Sequence, residues 1–384
     1  MLKHSQKKIM RKTFKHRLYP NQKQKETIDR TLETCRILHN DILAEKKEVW
    51  EKEQKKITCF KQINSLPNKK EKNPFLTEIF SQILQDIVRR VHKNFQAFFQ
   101  RLKTGKAGYP RFKSKFRYDS FNYPQHGFKL VNQKQLKLSN VGLVNIRLHR
   151  ELEGIIKTCS IIVKNGKYYA CFSCEVEPKP LPKTKKKVGI DMGLTSFLAT
   201  SNGELKEAPK TYRKVEKELA KAQRKVSRRI KKSKRRKKAV RVLAVKHEKV
   251  ANQRKDLAHK LSRELVKNYD LIAYEKLQVK NMVKNRYLAK SINDAGWNLF
   301  LTILTYKVEE TGKRVVEVEA RNTSQICNQC GEKRKEKLKL SQRVFKCSYC
   351  DYKDNRDINA ARNILARAEG LGTSLQGAVP IGAV

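Results

Sequence analysis

The most informative stretch of this 384-residue sequence is Val188-Gly189-Ile190-Asp191-Met192-Gly193, an apolar run with one acid between two glycines. Residues 188–201 predict a strand, a tight turn through Gly193 and a second strand. A carboxylate on an apolar strand costs free energy unless a partner compensates for its burial. Asp191 is therefore a candidate functional residue.

Two further acids stand in comparable surroundings downstream. Residues 271–275, Leu-Ile-Ala-Tyr-Glu, predict a short apolar strand that ends on Glu275, and residues 315–318 predict another strand. Asp357 lies in residues 354–364, which predict the start of a helix with acids in its first turn. Two strands and one helix thus each present one acid.

Three carboxylates in such surroundings suit the metal-dependent hydrolysis of phosphodiesters. Two Mg²⁺ ions about 4 Å apart can activate a water and stabilise charge on the leaving oxygen, and Mg²⁺ prefers hard oxygen ligands. We expect Asp191, Glu275 and Asp357 to be catalytic and to bind two Mg²⁺ or Mn²⁺ ions. One such acid alone would be weak evidence, because an Asp at a strand end is often only a cap or a turn former.

The nine cysteines include two CxxC pairs, Cys327 with Cys330 and Cys347 with Cys350, separated by 16 residues. This is the spacing of a tetrahedral zinc site on two knuckles. Four thiolates leave zinc no open position, so we expect one structural Zn²⁺. Disulfides are the less favoured alternative, because a large basic chain without a secretory leader meets a reducing environment.

The chain carries 88 Lys and Arg against 37 Asp and Glu, a formal net charge of +51. Such a charge repels itself unless a polyanion binds, so nucleic acid is the expected partner, with an affinity that depends steeply on salt. A membrane is the weaker hypothesis, because the sequence contains no run of 18 or more apolar residues and no apolar leader. We expect a cytoplasmic protein.

Two segments are candidate nucleic-acid contacts. Residues 109–115 alternate rings with cations. This pattern is equally consistent with base stacking plus phosphate contacts and with a solvated loop. Residues 221–238 hold 12 Lys or Arg among 18 residues and no acid. Because internal ion pairs cannot stabilise that run, a nucleic-acid contact is favoured over a solvated face. The ring and cation candidates are Tyr109, Arg111, Phe112, Lys113, Lys115, Arg228, Arg229, Lys231, Lys232, Arg235 and Arg236.

Hydrophobic periodicity predicts several helices. Asn21 can cap a long amphipathic helix after Pro20, with Gln24 reaching back to it. Apolar residues at helical spacing predict a further helix over residues 74–102 and two more within residues 212–269.

Strands are predicted in the segments that alternate. Residues 14–19 predict an edge strand, and residues 120–177 predict antiparallel strands of a small barrel or sandwich. Within the latter, Cys171 and Cys174 are three apart and point to opposite faces of a strand, so both are expected to be structural rather than metal ligands. The Pro-rich and Lys-rich residues 178–187 predict a linker between domains.

Several segments together resemble the transposon-encoded TnpB family, which is related to the type V CRISPR nucleases. The resemblance spans about residues 19–365. It rests on RLYPNQKQ (17–24), FFQRLKTGKAGYPRFKSK (98–115), GIDMGLTSFLATSNG (189–203), LIAYEKLQ (271–278), LAKSINDAGW (288–297), RNTSQICNQCG (321–331) and DNRDINAARNI (354–364).

The resemblance implies an RNA-guided DNA endonuclease whose partners are a guide RNA and a target DNA, and which works as a monomer with its RNA, in the nucleoid when active. It implies a mixed α/β and α+β multidomain fold with an RNase H-like, RuvC-type nuclease domain. The family's catalytic acids fall on Asp191, Glu275 and Asp357, and its zinc ligands fall on the four paired cysteines. The implied parts are a wedge β-barrel (1–19 and 106–180), a helical recognition region (20–105), the nuclease domain (185–321 and 352–366) and an inserted zinc ribbon (322–351). The remaining residues, 367–384, match no usable pattern and are expected to form a disordered tail.

Three other functions are weighed against this one. A DDE-type transposase also uses three acids on an RNase H-like core, but the GIDMG and DNRDINAARN contexts argue against it. A catalytically silent RNA-guided regulator of transcription would be expected to lack one of the acids, and all three are present. A plain zinc-ribbon RNA-binding protein offers no reason for acids on apolar strands.

Overall fold

A computed structural model of the chain describes residues 9–105, 107–208, 211–336, 338 and 342–372. The chain divides between Glu177 and Pro178 into two units. None of the described helices combines the length and the apolar character needed to cross a bilayer.

The first unit is built on a seven-stranded antiparallel sheet in the order β2-β6-β7-β1-β5-β4-β3, a half-barrel rather than a closed barrel. Its strands are β1 (Met10–Tyr19), β2 (Ser120–Tyr123), β3 (Phe128–Asn132), β4 (Gln135–Leu138), β5 (Gly142–Arg147), β6 (Ile155–Lys164) and β7 (Lys167–Val176).

The prediction of an edge strand at residues 14–19 is wrong, because β1 lies in the middle of the sheet. It pairs with β7 on one side and with β5 on the other. Phe14, His16 and Leu18 alternate into the core and are each at most 1% exposed. The alternation itself is present, but an alternating pattern fits a central strand with one buried face as well as an edge strand.

Helices of the first unit share one core with this sheet. They are α1 (Gln22–Glu53), α2 (Cys59–Asn64), α3 (Leu66–Lys72) and α4 (Ser81–Thr104). The predicted capping box is confirmed: the Gln24 amide donates to Asn21 Oδ1 at 2.9 Å, and the Asn21 amide donates to Gln24 Oε1 at 3.0 Å. The prediction of a single helix over residues 74–102 is wrong at the start of that range, where a 3₁₀ turn (Pro74–Leu76) precedes α4.

The second unit is layered around a five-stranded sheet in the order β10-β9-β8-β11-β12. Its strands are β8 (Lys187–Asp191), β9 (Ser196–Thr200), β10 (Leu205–Glu207), β11 (Leu271–Glu275) and β12 (Arg314–Val318). β8, β11 and β12 run parallel, whereas β9 and β10 run antiparallel to their neighbours. The strand, turn and strand predicted for residues 188–201 are confirmed.

Helices cover both faces of this sheet. The helices of the unit are α5 (Thr211–Ser227), α6 (Lys234–Asn268), α7 (Val279–Met282), α8 (Ala289–Ala295), α9 (Trp297–Thr311) and α10 (Arg356–Gly372). α6 and α9 pack on one face with Val188 and Ile190, while α10 packs on the other face against Ala273 and Val318. A hairpin of β13 (Val344–Lys346) and β14 (Lys353–Asn355) immediately precedes α10.

The last helix corrects the predicted tail. Residues 367–372, expected to be disordered, continue α10, because Ala368 is buried beside Ile364 in the contact with the sheet. Arg367 also donates to the carbonyl oxygens of Glu319 and Arg321, both at 2.7 Å. Residues 373–384 of the predicted tail lie outside the described residues.

Candidate functional site

The first two acids lie side by side at the carboxyl ends of adjacent parallel strands. β8 and β11 pair with Gly189 opposite Ala273 and Ile190 opposite Tyr274. Because strand side chains alternate, Asp191 shares a face with Gly189, and Glu275 shares that face with Ala273. The sheet register therefore brings Asp191 and Glu275 together on the face that α10 covers.

Gly189 explains how the third acid reaches them. A Cβ atom added there would lie 2.0 Å from the carbonyl oxygen of Ala361 and 2.8 Å from the amide nitrogen of Leu365, so α10 rests directly on the strand backbone. Asp357 precedes Ala361 by about one helical turn. It is thus carried to the end of the strand where Asp191 lies.

Charge and burial perturb the two strand acids. Burial, followed by the neighbouring carboxylates of Glu275 and Asp357, raises the pKa of Asp191 to about 7, against the opposing effect of Arg356. Burial also raises the pKa of Glu275, although the hydroxyl of Thr323 donates to its Oε2 at 2.9 Å and opposes that rise. Neighbouring acids whose pKa values are raised, as those of Asp191 and Glu275 are, are typical of a functional site.

The start of α10 holds the third acid in place. The helix begins at Arg356, two residues later than the sequence suggests, and the amide of Asp357 donates to Asn355 Oδ1 at 2.9 Å. Asp354, which the sequence placed in the first turn, lies on β14 and pairs instead with Arg362 at 2.7 Å. An acid in the first turn of a helix is stabilised by the helix dipole, so the site gains Asp357 at little cost.

One cation at this site was not predicted. Arg343 Nη1 lies 3.7 Å from Asp357 Oδ2, and its Nη2 donates to Thr195 Oγ1 at 2.6 Å. Arg343 belongs to the segment between the two CxxC pairs, so nothing in its local sequence connects it with the acids. The guanidinium partly offsets the negative charge of the cluster.

The four paired cysteines converge more tightly than the acids. Among the described residues they are the only set of three or more His, Cys, Asp or Glu whose ligand atoms all lie within 4.8 Å of one another. Cys327 Sγ lies 3.8 Å from Cys350 Sγ, and Cys330 Sγ lies 3.6 Å from Cys347 Sγ. A tetrahedron of sulphurs around zinc, with Zn–S about 2.3 Å, requires sulphurs about 3.8 Å apart. The cluster is therefore compatible with a structural zinc and too open for disulfides.

Two asparagines of α10, without a predicted role, connect the cysteine cluster to the acids. Asn359 Oδ1 accepts from the amide of Asn328 at 3.0 Å, and its Nδ2 donates to the carbonyl oxygen of Ile326 at 2.8 Å. Asn363 Nδ2 donates to the same carbonyl at 2.7 Å and to that of Thr323 at 2.8 Å. Because Thr323 also contacts Glu275, the hydrogen bonds run from the first cysteine knuckle to a site acid.

The first candidate nucleic-acid segment is anchored on α1. Asn40 holds both backbone groups of Lys113, accepting from its amide at 2.8 Å and donating to its carbonyl at 3.0 Å. The neighbouring Phe112 ring is 55% exposed, whereas the Tyr109 ring packs on Phe95 and Phe98 with centroids 5.5 and 5.4 Å away. The segment is thus ordered, with Arg111 and Lys115 exposed.

The second candidate segment forms the turn between α5 and α6. Arg228, Lys231, Lys232 and Arg235 are exposed there. Arg236 differs from them, because its Nη1 donates to the carbonyl oxygens of Val226 at 2.7 Å and of Arg229 at 3.2 Å. Its guanidinium closes the turn, which makes it a poorer candidate for a phosphate contact than its neighbours.

Comparison with known proteins places this chain in a family. A protein of Streptomyces pristinaespiralis named "Putative RNA-guided DNA endonuclease" is 35% identical over 364 residues, covering 93% of this chain and 89% of that protein. The "Putative RNA-guided DNA endonuclease InsQ" of Escherichia coli (strain K12) is 32% identical, covering 92% of this chain and 91% of InsQ. The chain belongs to the TnpB family. The predicted resemblance is confirmed.

Family profiles and a solved structure agree with this membership. A family described as "Probable transposase" matches residues 171–286, and the "Cas12f1-like, TNB domain" matches residues 297–364. A "Helix-turn-helix domain" matches residues 10–55, where the structure has β1 and α1. The Cas12f1 chain of a cryo-EM Cas12f1-sgRNA-target DNA complex superposes with a TM-score of 0.60 at 15% identity, covering 93% of this chain and 98% of that chain. This TnpB-family chain therefore shares the Cas12f1 fold.

Proposed function

We propose that this chain is a transposon-encoded, RNA-guided DNA endonuclease that hydrolyses phosphodiesters at Asp191, Glu275 and Asp357. The observation that supports this most is the meeting of these acids on one face of the sheet, in a chain whose relatives are named RNA-guided DNA endonucleases. The central parallel strands, the antiparallel flank and α10 make the RuvC-type, RNase H-like domain our proposal for this unit.

The acids fit a divalent metal by their chemistry. They offer only oxygen donors, and burial together with the neighbouring carboxylates keeps the pKa of Asp191 at about 7, so the cluster holds more negative charge than its surroundings relieve. We propose that two Mg²⁺ or Mn²⁺ ions supply the counter-charge. When bound, such ions supply an activated water and stabilise the leaving oxygen.

The chain's own residues prepare the site in three ways. The register of β8 and β11 fixes two carboxylates, and the close approach of α10 at Gly189 brings the third. Thr323 orients Glu275 by its hydrogen bond. Arg343, held by Thr195, places a cation beside Asp357 where a phosphate of the substrate would meet it.

We further propose a guide RNA and a target DNA as partners of a monomeric chain. The net charge of +51 supports the binding of long nucleic acids with many phosphate contacts. Base pairing with a guide would supply sequence recognition, so the protein needs mainly phosphate and shape contacts. The exposed cations of the α5–α6 turn and of residues 109–115 are our candidates for those contacts, and one Zn²⁺ on the four cysteines would stabilise the ribbon.

The test uses three substitutions: Asp191→Ala, Glu275→Ala and Asp357→Ala. Each should abolish Mg²⁺-dependent cleavage of DNA that matches the co-purified RNA, while guide and target binding in a gel-shift assay stay close to wild type. Asp256→Ala is the matched control, because Asp256 is an exposed acid on α6 that pairs along its own helix, with Lys260 at 2.7 Å. Near-normal cleavage by any of the three variants would remove that residue from the site.

The same assay separates the rival functions. A DDE-type transposase would yield joined strands in addition to cut ones, and a silent regulator would bind the matching DNA without cutting it. Wild-type protein that gives either result would contradict the proposed function.

A further inference from the structure

A pocket of about 380 Å³ opens in the first unit between α1 and α4. Lys46 and Trp50 line it from α1, Phe95 and Phe99 line it from α4, and Tyr109 lines it from the segment that follows. Its volume lies within the range of ligand pockets, about 300–1,000 Å³.

The pocket presents aromatic rings that are held in place and yet open to solvent. Trp50, Phe99 and Tyr109 are 46%, 45% and 43% exposed. Phe98 supports two of them, with ring centroids 5.2 Å from Phe99 and 5.4 Å from Tyr109. Rings fixed in this way lose little conformational freedom when a flat ligand stacks on them.

Ammonium groups stand among the rings. Lys46 Nζ lies 5.4 Å from the Phe95 centroid and donates to the carbonyl oxygen of Ile57 at 2.8 Å. Lys56 Nζ lies 5.4 Å from the Phe99 centroid, and Lys55 also lines the pocket. A lipid chain or an apolar side chain would gain nothing from these cations. A nucleotide uses both features, because its base stacks on rings while its phosphates meet lysines.

We propose that this pocket binds an unpaired nucleobase of a single-stranded nucleic-acid segment, with the neighbouring phosphates near Lys55 and Lys56. A base in a duplex is already stacked between its neighbours, so only an unpaired one can enter. The inference rests on the proposed function in one respect only, which is that the chain binds nucleic acid.

Tryptophan fluorescence reports on this pocket directly. The chain has two tryptophans; Trp50 lines the pocket, whereas Trp297 is 2% exposed in the core of the other unit. The full chain is titrated with a short single-stranded oligonucleotide, as RNA and as DNA of the same sequence, and with the duplex form of that DNA. The single strands should quench the emission, the duplex should quench it far less, and Trp50→Phe should remove most of the quenching. The two single-stranded arms show which nucleic acid is preferred.

Phe99→Ala tests the stacking. It should weaken single-strand binding by about five- to 150-fold, the range spanned by one base stacked on an aromatic ring. Phe75→Ala is the matched control, because that ring is 59% exposed in the same unit and does not line the pocket; it should leave the affinity unchanged. Both side chains are surface-exposed, so the melting temperature should stay near that of the wild type.

Several outcomes would overturn the inference. Unchanged affinity in Phe99→Ala, an equal loss in Phe75→Ala, or equal quenching by the duplex would each do so and leave the proposed function standing. A change in sedimentation of Phe99→Ala with unaltered oligonucleotide affinity would assign the pocket to a contact with a second copy of the chain. Only a wild-type chain that binds no oligonucleotide at all would overturn both proposals.

Discussion

Asp191→Asn should stabilise the metal-free protein at about pH 8. The carboxyl of Asp191 has its pKa raised to about 7 by burial and by the neighbouring acids, against about 3.9 in an unfolded chain. Three pH units of difference, at about 1.4 kcal/mol each, amount to an upper bound of about 4 kcal/mol. The asparagine amide carries no charge and avoids this cost.

The pH dependence has a definite sign. Since the folded state binds this proton more tightly than the unfolded state, the carboxyl favours folding below about pH 4, and this contribution is lost as pH rises toward about 7. The gap between Asp191→Asn and wild type should therefore be widest above pH 7 and shrink as the pH falls. Urea unfolding in the presence of a chelator, followed by circular dichroism at several pH values, measures it.

Asp270→Asn is the matched control with the opposite expectation. The ammonium of Lys313 and the amide of Thr184 hold the pKa of Asp270 well below its usual range, and the Lys313 side chain is only 2% exposed. That carboxylate stabilises the fold above about pH 4 and loses its effect in acid, so its substitution should destabilise at about pH 8. If Asp191→Asn also destabilised the protein there, the backbone hydrogen bond between Met192 and the Asp191 carboxylate would outweigh the electrostatic cost of that carboxylate, and the reasoning would be refuted.

Three further experiments test other parts of the molecule. Cys327→Ser should lose stoichiometric zinc and lower the melting temperature, whereas Cys174→Ser should keep the wild-type zinc content. Atomic absorption measures the zinc. Zinc loss in Cys174→Ser would refute the structural role given to Cys174. Gln in place of the four cations within residues 228–232 should lower the slope of log affinity against log salt by up to about 0.9 per lost duplex contact, and an unchanged slope would leave this turn a solvated surface. Gly189→Ala should displace α10 and lower both stability and cleavage, because the added methyl would overlap a backbone carbonyl oxygen. Thermal unfolding and a cleavage assay measure these losses. Wild-type stability and cleavage in this variant would show that the methyl is tolerated and would contradict the prediction.

Features that are encoded within one short segment could be predicted from the sequence. The capping box at Asn21, the strand and turn at Gly193, and the CxxC spacing each depend on residues a few positions apart, and the structure contains all three. The surroundings of the three acids were also visible locally. Their meeting was expected from the chemistry of metal-dependent hydrolysis and was implied by the resemblance, but the geometry of that meeting depends on strand register and on the seating of α10.

Features that depend on distant partners were missed. The central position of β1 is set by β5 and β7, which occur far along the chain, and no local pattern distinguishes that position from an edge. Arg343 reaches Asp357 only because the β13–β14 hairpin folds back. Asn359 and Asn363 looked like ordinary helix residues, and their buried hydrogen bonds become apparent only once the knuckle of Cys327 is placed beside them.

The order of these elements along the chain has a consequence for how the protein is made. Asp191 and Glu275 are translated well before α10, which follows the cysteine-rich segment and the β13–β14 hairpin. A growing polypeptide therefore carries two of the three proposed metal ligands without the third while residues 276–356 are added. Because α10 lies against Gly189 and carries Asp357, a polypeptide that terminates before residue 356 would lack the third proposed ligand, and we expect it to leave DNA uncut.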